Sequence, residues 1–251
     1  MGLFDIPAPL YTAIDNLLDF LPPYTRLLFW ACITAAVSMA LYWLFSAQDK
    51  VAGAKLRAIT ARKHMATYKG TEFDEMWPLA KESLAASSRH FIVVLVPAIL
   101  SSLPALTLMV WVSNHFSFQL PVAGSQVNLW SIPADSLADL SPAENGLSGY
   151  SVEWPEPGAA LPIRSIAGET LLALPLEVTV PVVHQRQWWN ILIANPNGYL
   201  PADAKVQEVQ FNLPKSEYLS FGPSWIRGWE FSYFALLVLT SFAIKLVFKI
   251  H

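Results

Sequence analysis

Two stretches of this chain, residues 27–45 and 91–112, carry no charged side chain at all, and a third, 231–248, carries only Lys245 near its end. At about 1.5 Å rise per residue, helices of these lengths reach roughly 27–33 Å, against a hydrocarbon core of about 30 Å. A segment in lipid must satisfy its own backbone hydrogen bonds, so three such runs constrain the fold to three spanning helices. Only 14% of the residues are charged and 54% are hydrophobic, whereas soluble domains hold about 25% charge. A large soluble core with three buried helices is the poorer reading.

The basic residues fix an orientation. Lys50, Lys55, Arg57, Arg62, Lys63, Lys69, Lys81 and Arg89 all fall between the first two runs, and they are half of the sixteen in a chain of net charge −3. Residues 113–230 hold only Arg164, Arg186, Lys205, Lys215 and Arg227. The positive-inside bias places the short basic loop in the cytoplasm and the long segment outside. The predicted topology is N-terminus outside and C-terminus cytoplasmic. No Lys or Arg precedes Arg26, so the basic n-region of a cleavable signal peptide is missing and the first span is expected to remain.

Along the chain, six parts are predicted: an outer amphipathic helix (1–23), a first span (24–46), a cytoplasmic helical hairpin (47–89), a second span (90–113), an extracytoplasmic β-domain (114–224), and a third span with a short tail (225–251). In the first part Leu10, Ile14, Leu17, Leu18 and Leu21 recur at helical spacing opposite Thr12, Asp15, Asn16 and Asp19. In the hairpin Val51, Ala54, Ala58, Ala61 and Met65 form a short coiled-coil-like seam. Gly70 ends that helix, Thr71 and Asp74 resemble a capping box, and Phe73, Met76, Ala80 and Leu84 would be the facing surface. Pro78 is expected to kink the second helix or delay its start. A basic loop without structure is the alternative.

Between the second and third runs the composition turns to Pro, Gly and Asn. The runs "QVNLWSI", "YSVEW", "LEVTVPVV", "WWNILIAN" and "VQEVQFNL" read as strands of a small antiparallel domain of sandwich type. In a strand, Trp188 and Trp189 would face opposite sides, one toward the core, the other toward a partner, a second core or lipid.

No catalytic constellation stands out, so an enzyme is not expected. The five histidines show no metal-ligand spacing, Cys32 lies alone in the first span, and no cofactor motif occurs. What polarity the spans contain is small: Thr34 and Ser38, Ser101, Ser102 and Thr107, Thr240 and Ser241. Each suits helix packing; together they would line a weakly polar groove. Arg26 stands at the outer end of the first span, as a groove cation or as an anchor reaching headgroups.

This order of parts resembles the YidC/Oxa insertase superfamily, in its three-span branch of archaeal YidC-like proteins and the insertase subunit of the ER membrane protein complex. The resemblance rests on "LFSAQDK" leading into the hairpin, "VPAILSSLPALTLMVWVSNHFSFQLP" through the second span, and "GPSWIRGWEFSYFALLVLTSFAIKLVFKI" at the end. It implies a groove at Arg26, Thr34, Ser38, Ser101, Ser102, Thr107, Thr240 and Ser241. The cytoplasmic docking element would be Lys50, Lys55, Arg57, Arg62, Lys63 and Lys69, and the interfacial anchors Trp225, Arg227, Trp229 and Tyr233. The implied activity is insertion of polar client segments into the bilayer, with membrane lipids and nascent membrane proteins or the ribosome as partners and no cofactor. The chain departs from the family in its long segment between the second and third spans and in a cation at the outer edge rather than within the membrane. Those departures suit an alternative: an accessory or assembly subunit that scaffolds a larger membrane complex, reached by other subunits through the outer β-domain. The absence of a glycosylation sequon in the outer segment suits a bacterial cytoplasmic membrane.

Overall fold

The computed structural model describes residues 2–70, 72–133, 141–142, 150–156, 159–164, 170–174 and 179–249. It is mostly helical. α1 spans Ala8–Leu17, α2 Pro23–Phe45, α3 Gln48–Thr67 and α4 Phe73–Phe116; after a short α5 at Ser224–Arg227, α6 spans Trp229–Val247. Among these, α2, α4 and α6 are long and apolar enough to cross a membrane. The chain divides into two compact units, Met1–Leu28 with Thr107–Tyr233, and Phe29–Leu106 with Phe234–His251.

The second unit holds most of the long helices. Val51, Ala54, Ala58 and Ala61 of α3 are buried, while Met65 is exposed. Small side chains at every third or fourth position let a neighbouring helix approach closely. The facing surface on α4 differs from the predicted one. Phe73, Met76 and Leu84 are exposed, and the covered stripe runs through Leu79, Ala80, Ser83, Ala86, Ser87 and His90. Arg62 Nε donates to Ser87 Oγ at 3.2 Å across this contact.

α4 itself is one continuous helix of 44 residues, about 66 Å long at 1.5 Å per residue. It joins what the sequence divides into a hairpin arm and a span. Residues 79–90, "LAKESLAASSRH", contain no breaker and several strong helix formers, so nothing stops the helix at the polar-to-apolar border. Pro78, Pro97 and Pro104 all lie inside it. Pro78 sits near the start, where the carbonyl it frees belongs to exposed Asp74. Thr71, the expected cap, lies outside the described residues.

The first unit contains the strands. β1 (Gln126–Ile132), β2 (Ser141–Pro142), β3 (Tyr150–Glu153), β4 (Leu161–Arg164), β5 (Thr170–Leu174), β6 (Val182–His184) and β7 (Glu208–Phe211) follow in chain order between α4 and α5. Five make an antiparallel sheet ordered β2-β3-β1-β7-β6, and β4 pairs with β5. Alternation drives this: Val127 and Leu129 of β1 point into the core, opposite Val152 and Tyr150 of β3, and Leu129 stands opposite Phe211 of β7. Leu161 and Ile163 of β4 join the same apolar cluster, with Trp154, Val183, Val209 and Phe211. The last turn of α4 is stitched to this region, since Tyr218 donates to the Phe116 carbonyl at 2.9 Å and Thr179 to that of Asn114 at 2.8 Å. Burial holds the Tyr218 phenol above its ordinary pKa, which keeps it a donor.

"WWNILIAN" is not a strand. Trp188–Ile191 is a 3-10 turn. Asn190 decides it: the side chain is buried, accepts from the Gln187 N–H at 2.7 Å and donates to the Ile193 carbonyl at 3.0 Å. Such local bonds offer the backbone an alternative to a ladder. Of the "LEVTVPVV" run, residues 176–178 lie outside the described residues, and Val182 and Val183 enter β6.

Candidate functional site

The polar elements of the first unit gather around α1. Its sequence pattern is amphipathic, but burial cuts across it: Tyr11, Thr12, Ile14, Asp15 and Leu18 are buried or half-buried, while Asn16 and Asp19 are exposed, as are Leu10 and Leu17. Asp15 is buried and Arg26 Nη1 donates to its Oδ2 at 3.1 Å and to Asp19 Oδ1 at 2.7 Å. Tyr11 and Thr107 hydroxyls meet at 2.8 Å. Trp111 Nε1 donates to Thr12 Oγ1 at 3.0 Å, and the Tyr11 and Trp111 rings meet edge-on at 6.0 Å. Large apolar side chains stand open: Leu10 is 60% exposed and Leu17 76%, with Phe20 just beyond the helix at 79%. A helix that buries an aspartate and leaves two leucines open departs from the pattern of a surface helix in water.

This arrangement settles where Arg26 points. Two carboxylates one helical turn apart repel each other on an isolated helix, and a single guanidinium between them removes that repulsion. Arg26 Nε is buried without a hydrogen-bond partner among the described residues. The cation is thereby spoken for by α1, and Asp15 and Asp19 were the site residues absent from the sequence-based set. Their i, i+4 spacing ahead of the first Arg in the chain was the available signal.

The span hydroxyls mostly turn back on their own helices. Thr34 Oγ1 donates to the Trp30 carbonyl at 2.8 Å, Ser101 to Ala98 at 3.0 Å and Ser102 to Ile99 at 2.8 Å. Thr107 faces Tyr11 in the first unit. Thr240 meets Cys32 across helices, Oγ1 to Sγ 3.7 Å. Ser38 Oγ is buried with no partner among the described residues, and Ser241 is half-buried. A hydroxyl whose proton is committed to an i−3 or i−4 carbonyl still offers its oxygen as an acceptor. The set presents acceptors far more than donors.

The four aromatic and basic residues before and within α6 part company. Trp225 is exposed, its ring edge-on to Phe231 at 5.8 Å. Trp229 and Tyr233 are buried and meet each other at 5.7 Å, so their rings are held by protein. Arg227 pairs with Glu217 at 2.9 Å.

On the hairpin, Lys50, Lys55, Arg57, Arg62, Lys63 and Lys69 are all exposed. Two open clefts flank α3. One of about 380 Å³ is lined by Asp49, Lys50, Gly53, Arg57, Arg89 and Val93, and another of about 450 Å³ by Arg57, Thr60, His64, Glu82 and Arg89. Arg57 and Arg89 border both, and Arg89 is the member that sequence reasoning counted among the basic residues but not in the docking set. Gly53 has open space where a side chain would stand. Among the described residues, no three His, Cys, Asp or Glu side chains come together in a metal-binding group. The chain matches no protein-family model, no curated protein and no solved structure.

Proposed function

We propose that this chain is an integral membrane biogenesis factor of the YidC/Oxa type, N-terminus outside and C-terminus cytoplasmic in a bacterial cytoplasmic membrane, easing polar segments of client proteins into the bilayer. The observation that carries this reading is α1. Its Asp15 is bonded to Arg26 at the head of α2, and its Tyr11 and Thr12 to Thr107 and Trp111 near the end of α4, while Leu10 and Leu17 stay open. Thr107 and Trp111 belong to the uncharged run 91–112, so α1 lies at the edge of the apolar zone, where lipid covers Leu10 and Leu17 and their exposure becomes favourable.

On this reading the sheet region is extracytoplasmic and the basic hairpin cytoplasmic. Cations at Lys50, Lys55, Arg57, Arg62, Lys63 and Lys69, with Arg89, attract an anionic client or the ribosome through salt-sensitive contacts. Within the membrane, the accessible Ser102 oxygen accepts from client N–H groups whose burial without a partner costs several kcal/mol. α6, about 28 Å long for its 19 residues, favours local thinning.

The neutralised Arg26 favours a second reading, an accessory subunit that keeps the helical frame without a free groove cation and scaffolds a larger membrane complex. Photo-crosslinking from Ser38, Ser101 and Ser241 in cells separates the two. Adducts with varied ribosome-bound nascent membrane proteins are expected for a biogenesis factor. Adducts with one constant membrane protein, and none with nascent chains, would sink that reading in favour of the scaffold.

A further inference from the structure

The 3-10 turn at Trp188–Ile191, like α1, buries a polar side chain and leaves large apolar ones open. Its polar groups point inward: Asn190 closes the turn from within, and Asn195 Nδ2 donates to the Val182 carbonyl at 2.7 Å. Its apolar groups point out. Trp188 is 80% exposed and Ile191 67%, with Trp189 and Leu192 also exposed. Trp189 rests against the His184 ring at 5.2 Å, but a water-facing turn gains nothing from Trp188 and Ile191 held open in this way.

The turn is also bolted to the N-terminal segment that leads into α1. Phe4 N–H donates to the Leu192 carbonyl at 2.9 Å. Asp5 Oδ2 accepts from the Ala194 N–H at 2.7 Å and from the Gly2 N–H at 3.1 Å. The approach is close enough that a β-carbon on Gly2 would stand 2.6 Å from the Leu192 oxygen. Leu3 and Ile6, both exposed, lie on this bridging segment. Exposed apolar side chains therefore follow one another along the bonded segment, from the Trp188 turn through Leu3 and Ile6 to Leu10 and Leu17 of α1.

From this continuity we propose that the Trp188–Ile191 turn is a second lipid-seated element, resting in the outer interfacial layer beside α1 and holding the strand-bearing unit against the bilayer. The inference rests on the membrane placement of α1 proposed above. Lipid is the occupant because α1, to which that segment leads, is bonded within the uncharged run of α4. The chemistry agrees: indole rings settle at headgroup level, where one edge is apolar and the N–H stays wet, and exposed Arg186 two residues before Trp188 suits phosphate groups.

The test uses the full chain with Cys32→Ser, reconstituted in phosphatidylcholine–phosphatidylglycerol vesicles, with an environment-sensitive fluorophore on one introduced cysteine at a time. Ile191→Cys is the probe; Leu17→Cys on α1, Val238→Cys on α6 and Lys55→Cys on α3 are the references. Quenching of the Ile191→Cys probe by doxyl-labelled lipid, comparable to that at Leu17→Cys and well above that at Lys55→Cys, is expected. Quenching by aqueous iodide alone at Ile191→Cys, with lipid quenching intact at Leu17→Cys and Val238→Cys, overturns the proposal and leaves the membrane reading standing. Blue-shifted emission at Ile191→Cys without lipid quenching overturns it too, because protein rather than lipid then covers the turn. Loss of lipid quenching at Val238→Cys as well would remove the membrane reading beneath it.

Discussion

α1 and α3 both leave large apolar side chains open, Leu10 and Leu17 on one and Leu56 and Ile59 on the other, yet they bury different chemistry. α3 buries Val51, Ala54, Ala58 and Ala61 and leaves its cations outside. α1 buries Asp15, engages Tyr11 and Thr12 in hydrogen bonds, and leaves Leu10 and Leu17 outside. The difference teaches that periodicity reports two faces without saying which medium each one meets. In water the cheap arrangement is apolar inward; beside lipid, where an unpaired polar group costs several kcal/mol, it is polar inward. On the proposed placement, α3 stands in water and α1 at the membrane edge.

That contrast can be broken most forcefully at its ionic centre. Arg26→Met leaves Asp15 buried opposite Asp19 with no cation, and the expected loss is about 3 kcal/mol. The midpoint of thermal unfolding in lipid nanodiscs should fall accordingly, and Asp15→Asn added to Arg26→Met should recover much of it. A double variant no more stable than Arg26→Met would mean that the guanidinium acts elsewhere than on Asp15.

The conventional half of the comparison is sharpened on α3. Ala58→Leu puts three extra carbons into a seam of small side chains, and overpacking there should cost about 2 kcal/mol, read from the same unfolding midpoint. An unchanged midpoint would show that α3 does not press on a neighbour at that position.

The two exposed leucines give the most direct contrast. Leu17→Ser on α1 should cost about 1 kcal/mol of bilayer contact, visible as easier iodide access to a fluorophore at Leu10→Cys in vesicles. Leu56→Ser on α3, also on an open face, should stay within about 0.5 kcal/mol and alter nothing at the bilayer. Equal effects from both would erase the distinction between the helices.

Much of the helical frame was legible in the sequence because its signals are local and strong. Runs 27–45 and 91–112 lack charge over a membrane's thickness, and the small-residue seam of α3 names four buried positions correctly. β1 and β7 were legible from alternation. The turn at Trp188 was not, because "WWNILIAN" has the side chains of a strand, and one buried asparagine redirects the backbone. The candidate site was legible in its residue types more than in their roles. Arg26 stands out in the sequence, and Asp15 and Asp19 stand on the polar face of the first helix, but their spacing alone does not say that Arg26 reaches back to both. Trp229 and Tyr233 looked interfacial by composition, and their burial depends on what packs around them.

The sequence by itself determined how many long apolar helices there are, where the cations cluster and which segment can form strands, since charge, length and alternation act along the chain. The tertiary structure alone decided which way α1 faces, whether the hairpin arm and the second apolar run are one helix, and which hydroxyls remain available. The facing of α1 depends on partners far apart in the chain, such as Thr12 with Trp111 and Tyr11 with Thr107. A single polar contact of that kind is worth about 1 kcal/mol, enough to choose a face that periodicity leaves open.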